Sequence, residues 1–298
     1  MSKVQINNQK LNKTAIVAAA SALAVLLMSF LAAPFIRVFA LTAKSLVYWS
    51  VGVLLIASLS VFNLSIASIY VGSVWMTLGL YNEFEKRGMS WKKTSLAAIL
   101  FGFLSAVIGL FIIADQKMQI ADHLNSFIIP LENALKGKMS SDEIIKLNIG
   151  QYLIGIFASA LAATISLAIM FENQIFKLFN MQREKISTSI KWIEFKVPEI
   201  FIWSTLISLF LVLIDFQFFV KSVSLKVIAS NVLIFCSVVL FFQGLAIVEY
   251  ILRFYGLKGL IKILIYFIVL GWMGPAVIAL GITDYWMDFR KKLRLQLK

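Results

Sequence analysis

The pattern of apolar and polar positions divides this chain into long apolar runs and shorter polar connections. A membrane crossing of about 30 Å needs roughly 20 helical residues. Residues 45–82 carry no formal charge and are long enough to cross twice, with a turn expected near residues 60–63. We therefore predict an all-α, polytopic transmembrane helical bundle of about eight spans, forming a single integral membrane domain over residues 1–298. The predicted spans lie in residues 15–33, 45–82, 94–114, 147–171, 200–220, 227–252 and 263–283.

Two of the connections are long and amphipathic. Residues 115–146 repeat apolar side chains at helical spacing, and residues 172–199 interleave such side chains with lysine and arginine. Both patterns predict helices in the membrane interface, although the first also fits a loop helix packed against its own bundle. Pro198 is placed at the start of the sixth span, where proline is favoured.

The basic side chains indicate which connections face the cytoplasm. The chain has a formal net charge of +13, and its lysines and arginines concentrate in residues 1–14, 83–93 and 172–199 and in the tail, residues 284–298. Cytoplasmic connections of membrane proteins carry such an excess. We predict that the first three segments are cytoplasmic and that residues 115–146 are external. Anionic lipid headgroups account for this charge, and no nucleic-acid partner is expected.

This orientation conflicts with the number of spans at both ends of the chain, because an odd number of spans places the two segments that flank them on opposite sides of the membrane. Three predicted spans lie between residues 172–199 and the basic tail, and three precede residues 83–93. Either one run at each end does not cross completely, or one basic segment faces outward. Residues 37–44 and the glycine- and proline-containing residues 271–281 are the two candidates for irregular runs.

Composition restricts the chemistry that the chain can perform. Hydrophobic residues make up 60% of it and charged residues 14%, whereas soluble domains average about 45–50% and about 25%. The single cysteine, Cys236, and the single histidine, His123, exclude disulfides and a Cys/His zinc site. No phosphate-binding loop, nucleophile elbow or similar motif is present. We expect a protein that is not an enzyme and has no catalytic residue, metal site or cofactor.

Ionisable side chains inside apolar runs are costly, so each is a candidate for function. Asp215 lies towards one end of the sixth span. It is either a proton or cation site or a helix-end carboxylate paired with Lys221. We take Asp215 as one candidate for lining a substrate cavity.

The seventh predicted helix has a polar face. Glu249 and Arg253 are four residues apart, so their side chains can form an ion pair along the helix. Asn231 lies on the same face as Glu249, and Gln243 is offset by about a third of a turn. These side chains either line a cavity or join helices by hydrogen bonds. We take Asn231, Gln243 and Glu249 as further cavity candidates and Arg253 as a structural partner.

Two stretches near the C-terminus resemble the YybS-like family of predicted bacterial membrane proteins, a family of unknown function. They read FFQGLAIVEYILR over residues 241–253 and PAVIALGITDYWMDFRKKL over residues 275–293. The matching positions are Asn231, Gln243, Gly244, Leu245, Ala246, Gly281, Asp284, Trp286, Asp288, Phe289 and Arg290. The resemblance implies a multi-pass protein of the bacterial cytoplasmic membrane, with a fold related to the substrate-binding subunits of energy-coupling-factor transporters. It also implies a membrane or ATPase partner subunit, engaged through the alanine-rich first helix.

The second stretch has a physical interpretation of its own. Asp284 and Asp288 are four residues apart, with Trp286 between them and Arg290 beyond. Aromatic side chains followed by basic ones are typical of the membrane interface. The pattern predicts an anchor that ends a span, and these residues are also candidates for docking a partner.

The sequence supports two functional hypotheses. The first is a transporter subunit or permease that binds a small molecule within its helical bundle, because the seventh helix has a polar face and the eighth run is interrupted. The second is a non-transporting membrane scaffold or regulator that recruits soluble partners through residues 172–199 and the basic tail. The identity of a co-purifying partner separates the two hypotheses.

Overall fold

A computed structural model describes residues 29–62, 64–113, 149–182, 191–214, 223–257 and 259–295. The described residues form helices and contain no strand, which confirms the all-α prediction. In chain order the α-helices are α1 (Ser29–Thr42), α2 (Ser45–Val61), α3 (Ser65–Lys86), α4 (Trp91–Ile113), α5 (Leu153–Leu178), α6 (Glu199–Leu213), α7 (Val223–Phe254), α8 (Gly259–Trp272), α9 (Gly274–Met287) and α10 (Phe289–Leu295). Two 3₁₀ turns, Ile149–Tyr152 and Trp192–Glu194, precede α5 and α6.

Helices α2, α3 and α4 follow one another as antiparallel helices. The predicted turn near residues 60–63 is confirmed, because α2 ends at Val61 and α3 begins at Ser65. Gly88 has a φ of 82° in the turn between α3 and α4, a left-handed conformation that costs glycine little. Helix α4 matches the predicted span over residues 94–114 closely.

Helix α1 differs from the prediction that the first span ends at residue 33. It continues through Pro34 and contains Arg37. Proline removes one helical hydrogen bond, but α1 packs against α5, α3 and α2, and most side chains of residues 32–43 are buried. Tertiary packing therefore maintains a helix where the local sequence predicted an irregular segment. Most of the predicted first span, residues 15–28, lies outside the described residues.

Helices α5, α6 and α7 form the second part of the bundle, with α7 packed against both of the others. Helix α5 covers most of the predicted span over residues 147–171, and it begins at Leu153 after a 3₁₀ turn. Helix α6 begins directly after Pro198, as predicted. Its predicted continuation to residue 220 lies partly outside the described residues.

The segment before α6 does not form the predicted amphipathic helix where it is described. Residues 191–198 are a 3₁₀ turn followed by extended backbone. Trp192, Phe195 and Val197 are buried in this segment. Their side chains pack into the bundle instead of onto a lipid surface, which explains why the helical spacing of residues 172–199 was misleading here.

The eighth apolar run is broken, and it is therefore either a broken span or a re-entrant segment. Helices α8 and α9 meet at Met273 with a bend of 99°, and Pro275 lies in the first turn of α9, where its missing N–H costs little. Arg290 on α10 donates to the Ile193 carbonyl at 3.1 Å. The basic tail and the segment before α6 therefore lie on the same side of the bundle. The prediction of an irregular run in residues 271–281 is confirmed.

The described helices establish a membrane protein with fewer clear spans than predicted. Helices α8 and α9 are long and apolar enough to cross a membrane only when the bent pair is taken together. The helices that are long and apolar enough alone are Trp91–Ile112, Leu153–Leu178 and Leu225–Phe254. The shorter apolar helices are Ala32–Thr42, Ser45–Val61 and Glu199–Leu213. Three or four candidate spans follow, so the predicted total of eight is not confirmed. Predictions for residues 114–148 lie outside the described part of the chain.

Candidate functional site

A cavity of about 400 Å³, here called the serine cavity, lies between α2, α3 and α4. It is near the turn that joins α2 to α3, at the opposite end of these helices from Gly88. Three glycines in its lining, Gly52, Gly72 and Gly109, leave space between the helices. A Cβ atom on Gly52 would lie 2.3 Å from the Trp75 ring, so this glycine also leaves room for the Trp75 side chain.

Four serine hydroxyls line the serine cavity: Ser60, Ser68, Ser73 and Ser105. Each donates its hydrogen to a carbonyl about one turn earlier in its own helix, at distances between 2.7 and 3.0 Å. A hydroxyl has one hydrogen to donate and two lone pairs that accept. The four oxygens therefore remain acceptors for a ligand, while their hydrogens are already used.

Two tryptophans, Trp49 and Trp75, also line the serine cavity. Trp75 stacks on Tyr48 with ring centroids 4.8 Å apart, and Trp49 meets Tyr48 edge-on at 5.3 Å. The Trp75 Nε1 donates to the Tyr48 carbonyl at 3.2 Å, and the Tyr48 hydroxyl donates to the Trp75 carbonyl at 2.7 Å. These reciprocal bonds fix an aromatic wall in which Trp75 is 2% exposed and Trp49 is the more exposed ring. An aromatic ring suits flat apolar or cationic groups.

A buried ion cluster joins α1, α3 and α5 near the Gly88 end of the bundle. Arg37 donates from Nε to Glu172 at 2.7 Å and from Nη2 to Glu85 at 2.9 Å. The three side chains are at most 3% exposed. The guanidinium also lies over the Tyr81 ring, 4.7 Å from its centroid. Buried ions are costly unless paired, so this cluster fixes the relative positions of three helices.

Sequence reasoning did not find the buried ion cluster. Arg37 was assigned to a connection, and Glu85 and Glu172 fell in the two basic segments. The signal in the sequence is a single arginine within the otherwise uncharged residues 29–43. Such a side chain requires a carboxylate partner elsewhere in the bundle, but the sequence does not identify which one.

Asn231 joins α7 to the beginning of α5. Its Nδ2 donates to the carbonyls of Gln151 and Val227 at 2.7 and 2.8 Å. Its Oδ1 accepts from the Gly155 N–H at 2.6 Å. A Cβ atom on Gly155 would lie 2.6 Å from the Asn231 carbonyl oxygen. The amide thus holds two closely approaching helices together.

Gln243 lies where α7 crosses α9. Its Oε1 accepts from the Val197 N–H and its Nε2 donates to the Gly281 carbonyl, both at 2.8 Å. Gly244 and Gly281 allow the close crossing, because a Cβ atom on either would lie within 2.3 Å of a backbone carbonyl oxygen. One amide therefore links α7, α9 and the segment before α6.

Asp284 and Arg290 complete this joint at the end of α9. Asp284 is fully buried and accepts from the Phe289 N–H at 3.1 Å and from the Arg290 Nη2 at 3.2 Å. The same Nη2 donates to the Phe195 carbonyl at 2.9 Å. Five of the positions that carry the family resemblance thus meet around α7 and α9: Gln243, Gly281, Asp284, Phe289 and Arg290.

Trp286 and Asp288 lie at the surface beside this network. Trp286 is 56% exposed. Asp288 adopts a left-handed conformation with a φ of 41°, and its Oδ1 is 4.0 Å from the Lys196 Nζ. Their exposure is in keeping with an interfacial anchor, and their role in docking a partner stays a prediction.

Glu249 is buried and accepts three hydrogen bonds. The predicted pair with Arg253 is confirmed, with the Arg253 Nε 2.7 Å from Oε1. The Lys262 Nζ donates to the same oxygen and the Tyr266 hydroxyl donates to Oε2, both at 2.8 Å. These two residues lie on α8, so Glu249 also ties α7 to a second helix.

The comparison with known proteins identifies the family. A family model described as "Predicted membrane protein (DUF2232)" matches residues 14–285. The chain belongs to the DUF2232 family. No curated protein and no solved structure matches it. The match covers most of this DUF2232 protein and confirms its resemblance to the YybS-like membrane proteins.

The described part of this DUF2232 protein contains polar groups of two kinds. The ion and amide clusters are engaged with other protein groups, whereas the serine cavity offers acceptor oxygens. Asn231, Gln243 and Glu249 do not line that cavity, and Asp215 lies outside the described residues; their role toward a substrate stays a prediction. Among the described residues, no three His, Cys, Asp or Glu side chains are grouped to hold a metal ion.

Proposed function

We propose that this DUF2232 protein is a substrate-binding subunit of a transporter, or a permease, of the bacterial cytoplasmic membrane. Its small-molecule substrate binds in the serine cavity. The observation that carries the proposal is the cavity itself, with a volume of about 400 Å³ between three helices. Binding sites for small molecules have volumes of about 300–1,000 Å³ and combine apolar walls with a few polar groups. The proposal includes no catalytic step.

The lining of the serine cavity favours one class of ligand. None of the described residues that line it carries a formal charge, and its serine hydroxyls donate to helix carbonyls, which leaves their oxygens as acceptors. A ligand carboxylate would bring its lone pairs against these oxygens. An amine or ammonium group would donate to them, and an aromatic ring such as that of Trp49 attracts cations and flat rings. We therefore propose a small amphipathic ligand that has an apolar ring and N–H donors.

The position of the serine cavity fits uptake from outside the cell. The cavity lies near the α2–α3 turn, whereas the basic residues 83–93 lie at the other end of α3 and α4. With residues 83–93 in the cytoplasm, as the positive charge predicts, the cavity lies in the outer half of the membrane.

A thermal-stability screen of the purified full-length protein in mild detergent tests the proposal. The compounds are pairs that share an aromatic ring and differ in the charged group, such as tryptamine and indole-3-propionate. We expect amines to raise the melting temperature, because a ligand at about 100 times its Kd stabilises a protein by about 2.7 kcal/mol. No response, or an equal response to both members of each pair, contradicts the proposal.

The alternative function, a membrane scaffold or regulator, has a different expected partner. Pull-down of partners from native membranes distinguishes the transporter function from the scaffold function. A stoichiometric ATPase or membrane subunit supports transport. A soluble partner that binds residues 172–199 or the basic tail, with no ligand found in the screen, supports the scaffold.

A further inference from the structure

A second concave site, here called the lateral groove, lies between α4, α5, α6 and α7. It is a narrow, half-open groove with a volume of about 80 Å³. Its walls are mainly apolar and include Ile99, Ala162, Ile165, Phe201 and Val239. It shares no lining residue with the serine cavity, so any occupant of the lateral groove is independent of the proposed substrate.

The mouth of the lateral groove lies at the level expected for lipid headgroups. Lys92 is exposed and is the only formally charged side chain among the described residues of its lining. Trp91 lies beside it and packs against Phe195, with ring centroids 5.1 Å apart. Both Lys92 and Trp91 are in the first turn of α4, and tryptophan is typical of the membrane interface. Ile99 lies about two helical turns deeper.

The lateral groove is continuous with the apolar outer faces of the two helices that flank it. Leu96 and Leu100 on α4 are 57% and 53% exposed, and Ile200 and Trp203 on α6 are 67% and 50% exposed. In a bilayer such faces are covered by acyl chains. An acyl chain can therefore enter the groove sideways without leaving the membrane.

We propose that the lateral groove binds one phospholipid with an anionic headgroup. An acyl chain lies along the wall that contains Ile99 and Val239, and the phosphate or another headgroup oxygen accepts hydrogen bonds from the Lys92 ammonium. The apolar wall accounts for the chain, and the single positive charge at the mouth accounts for the preference for an anionic headgroup.

Native mass spectrometry of the full-length protein tests this site. The protein is delipidated in mild detergent and incubated with phosphatidylglycerol or with phosphatidylcholine of the same acyl chains. Lys92→Gln removes the charge at the mouth, and Lys93→Gln removes an adjacent exposed charge outside the lining. Ile99→Trp fills the groove, and Leu100→Trp places the same side chain on the outer face of α4. The melting temperature of each variant is measured to verify folding.

We expect the wild-type protein to retain one phosphatidylglycerol in preference to phosphatidylcholine. Lys92→Gln should reduce that preference about fivefold, the effect of one lysine near an anionic surface, and Ile99→Trp should abolish binding of both lipids. The two control variants should bind like the wild type. Equal lipid binding by Ile99→Trp and Leu100→Trp overturns the proposal. So does an equal loss of preference in Lys92→Gln and Lys93→Gln, which would show a general surface charge effect.

Discussion

Arg37 contacts carboxylates from two different helices, Glu172 at 2.7 Å and Glu85 at 2.9 Å. Each ion of such a group has lost most of its contact with water, and the opposite charges offset that loss. Removing one member of a buried pair costs about 3–5 kcal/mol, because the remaining charge is left without its partner. The buried ion cluster is therefore expected to dominate the effects of single substitutions in α1, α3 and α5.

Arg37→Met is expected to lower the stability of the protein by about 3–5 kcal/mol. The substitution keeps an apolar side chain of similar length but leaves Glu85 and Glu172 without the guanidinium. Arg87→Met is the control, because Arg87 is exposed in the turn after α3 and surface changes usually stay within about 0.5 kcal/mol. Unfolding in detergent, followed by tryptophan fluorescence, measures both. Equal stability of the two variants would show that the cluster contributes little.

Glu249 should depend more on Lys262 than on Arg253, although the sequence pattern points to the arginine. Arg253 has a side chain that is 62% exposed, whereas that of Lys262 is 32% exposed, and solvent weakens an exposed ion pair to about 0.2–1 kcal/mol. In double-mutant cycles, Glu249→Gln should couple more strongly to Lys262→Met than to Arg253→Met. Equal coupling of both cations would contradict this ranking.

The contacts of single side chains could be predicted only where their partners lie nearby in the sequence. The pair of Glu249 and Arg253 follows from helical spacing and is confirmed. Lys262 was not found, because its contact with Glu249 depends on how α8 folds back on α7. The same limit applies to Arg37, whose partners lie 48 and 135 residues away.

At the level of helices, the close crossing of α7 and α9 depends on glycine. A Cβ atom on Gly281 would lie 2.3 Å from the Leu240 carbonyl oxygen, whereas nothing lies within 4 Å of one on Gly271 in α8. The backbone of α7 cannot yield as a flexible side chain would. Gly281 therefore has no space for a side chain, whereas Gly271 in the other helix of the broken run has open space around it.

Gly281→Ala is expected to destabilise the protein by about 1–3 kcal/mol, the usual cost of overpacking, and to lengthen the bond between Gln243 and the residue 281 carbonyl. Gly271→Ala should be neutral or stabilising by up to about 1 kcal/mol, because alanine is the better helix former. Melting temperatures in detergent compare the two. A Gly281→Ala protein as stable as the Gly271→Ala protein would show that α9 does not pack this closely on α7.

Helix bounds could be predicted where a long apolar run is flanked by polar connections. This holds for α2, α3 and α4, and for the start of α6 at Pro198. It fails for α1, where Pro34 suggested an end but burial on several sides maintains the helix. It also fails for residues 191–198, where helical spacing of apolar residues reflects packing against α4 and α7 in an extended segment. In both cases tertiary contacts outweigh the local pattern.

At the level of the whole molecule, the contact between Arg290 and Ile193 places α10 and residues 191–198 at the same end of the bundle. We therefore expect the two segments to face the same side of the membrane. Single cysteines introduced at Ser90, Lys191 and Lys292 should all react with a membrane-impermeant maleimide only in inverted vesicles, in a background in which native Cys236 is replaced. A cysteine at Phe62 should react only in right-side-out cells. Labelling of positions 191 and 292 from opposite sides would contradict this arrangement.

The central claim is that the serine cavity binds the substrate, and two matched serines test it most directly. Ser105 lines the cavity and Ser58 does not, yet each hydroxyl donates to the carbonyl three residues earlier in its helix, at 2.7 and 2.8 Å. The measurement is the Kd of tryptamine, or of the most stabilising amine from the screen, for Ser105→Leu, Ser58→Leu and the wild type. We expect Ser58→Leu to bind the amine like the wild type. The Kd of Ser105→Leu should be at least about tenfold higher, which corresponds to a loss of about 1.4 kcal/mol of binding free energy. Equal Kd values for the two variants, with both proteins folded, would contradict the claim.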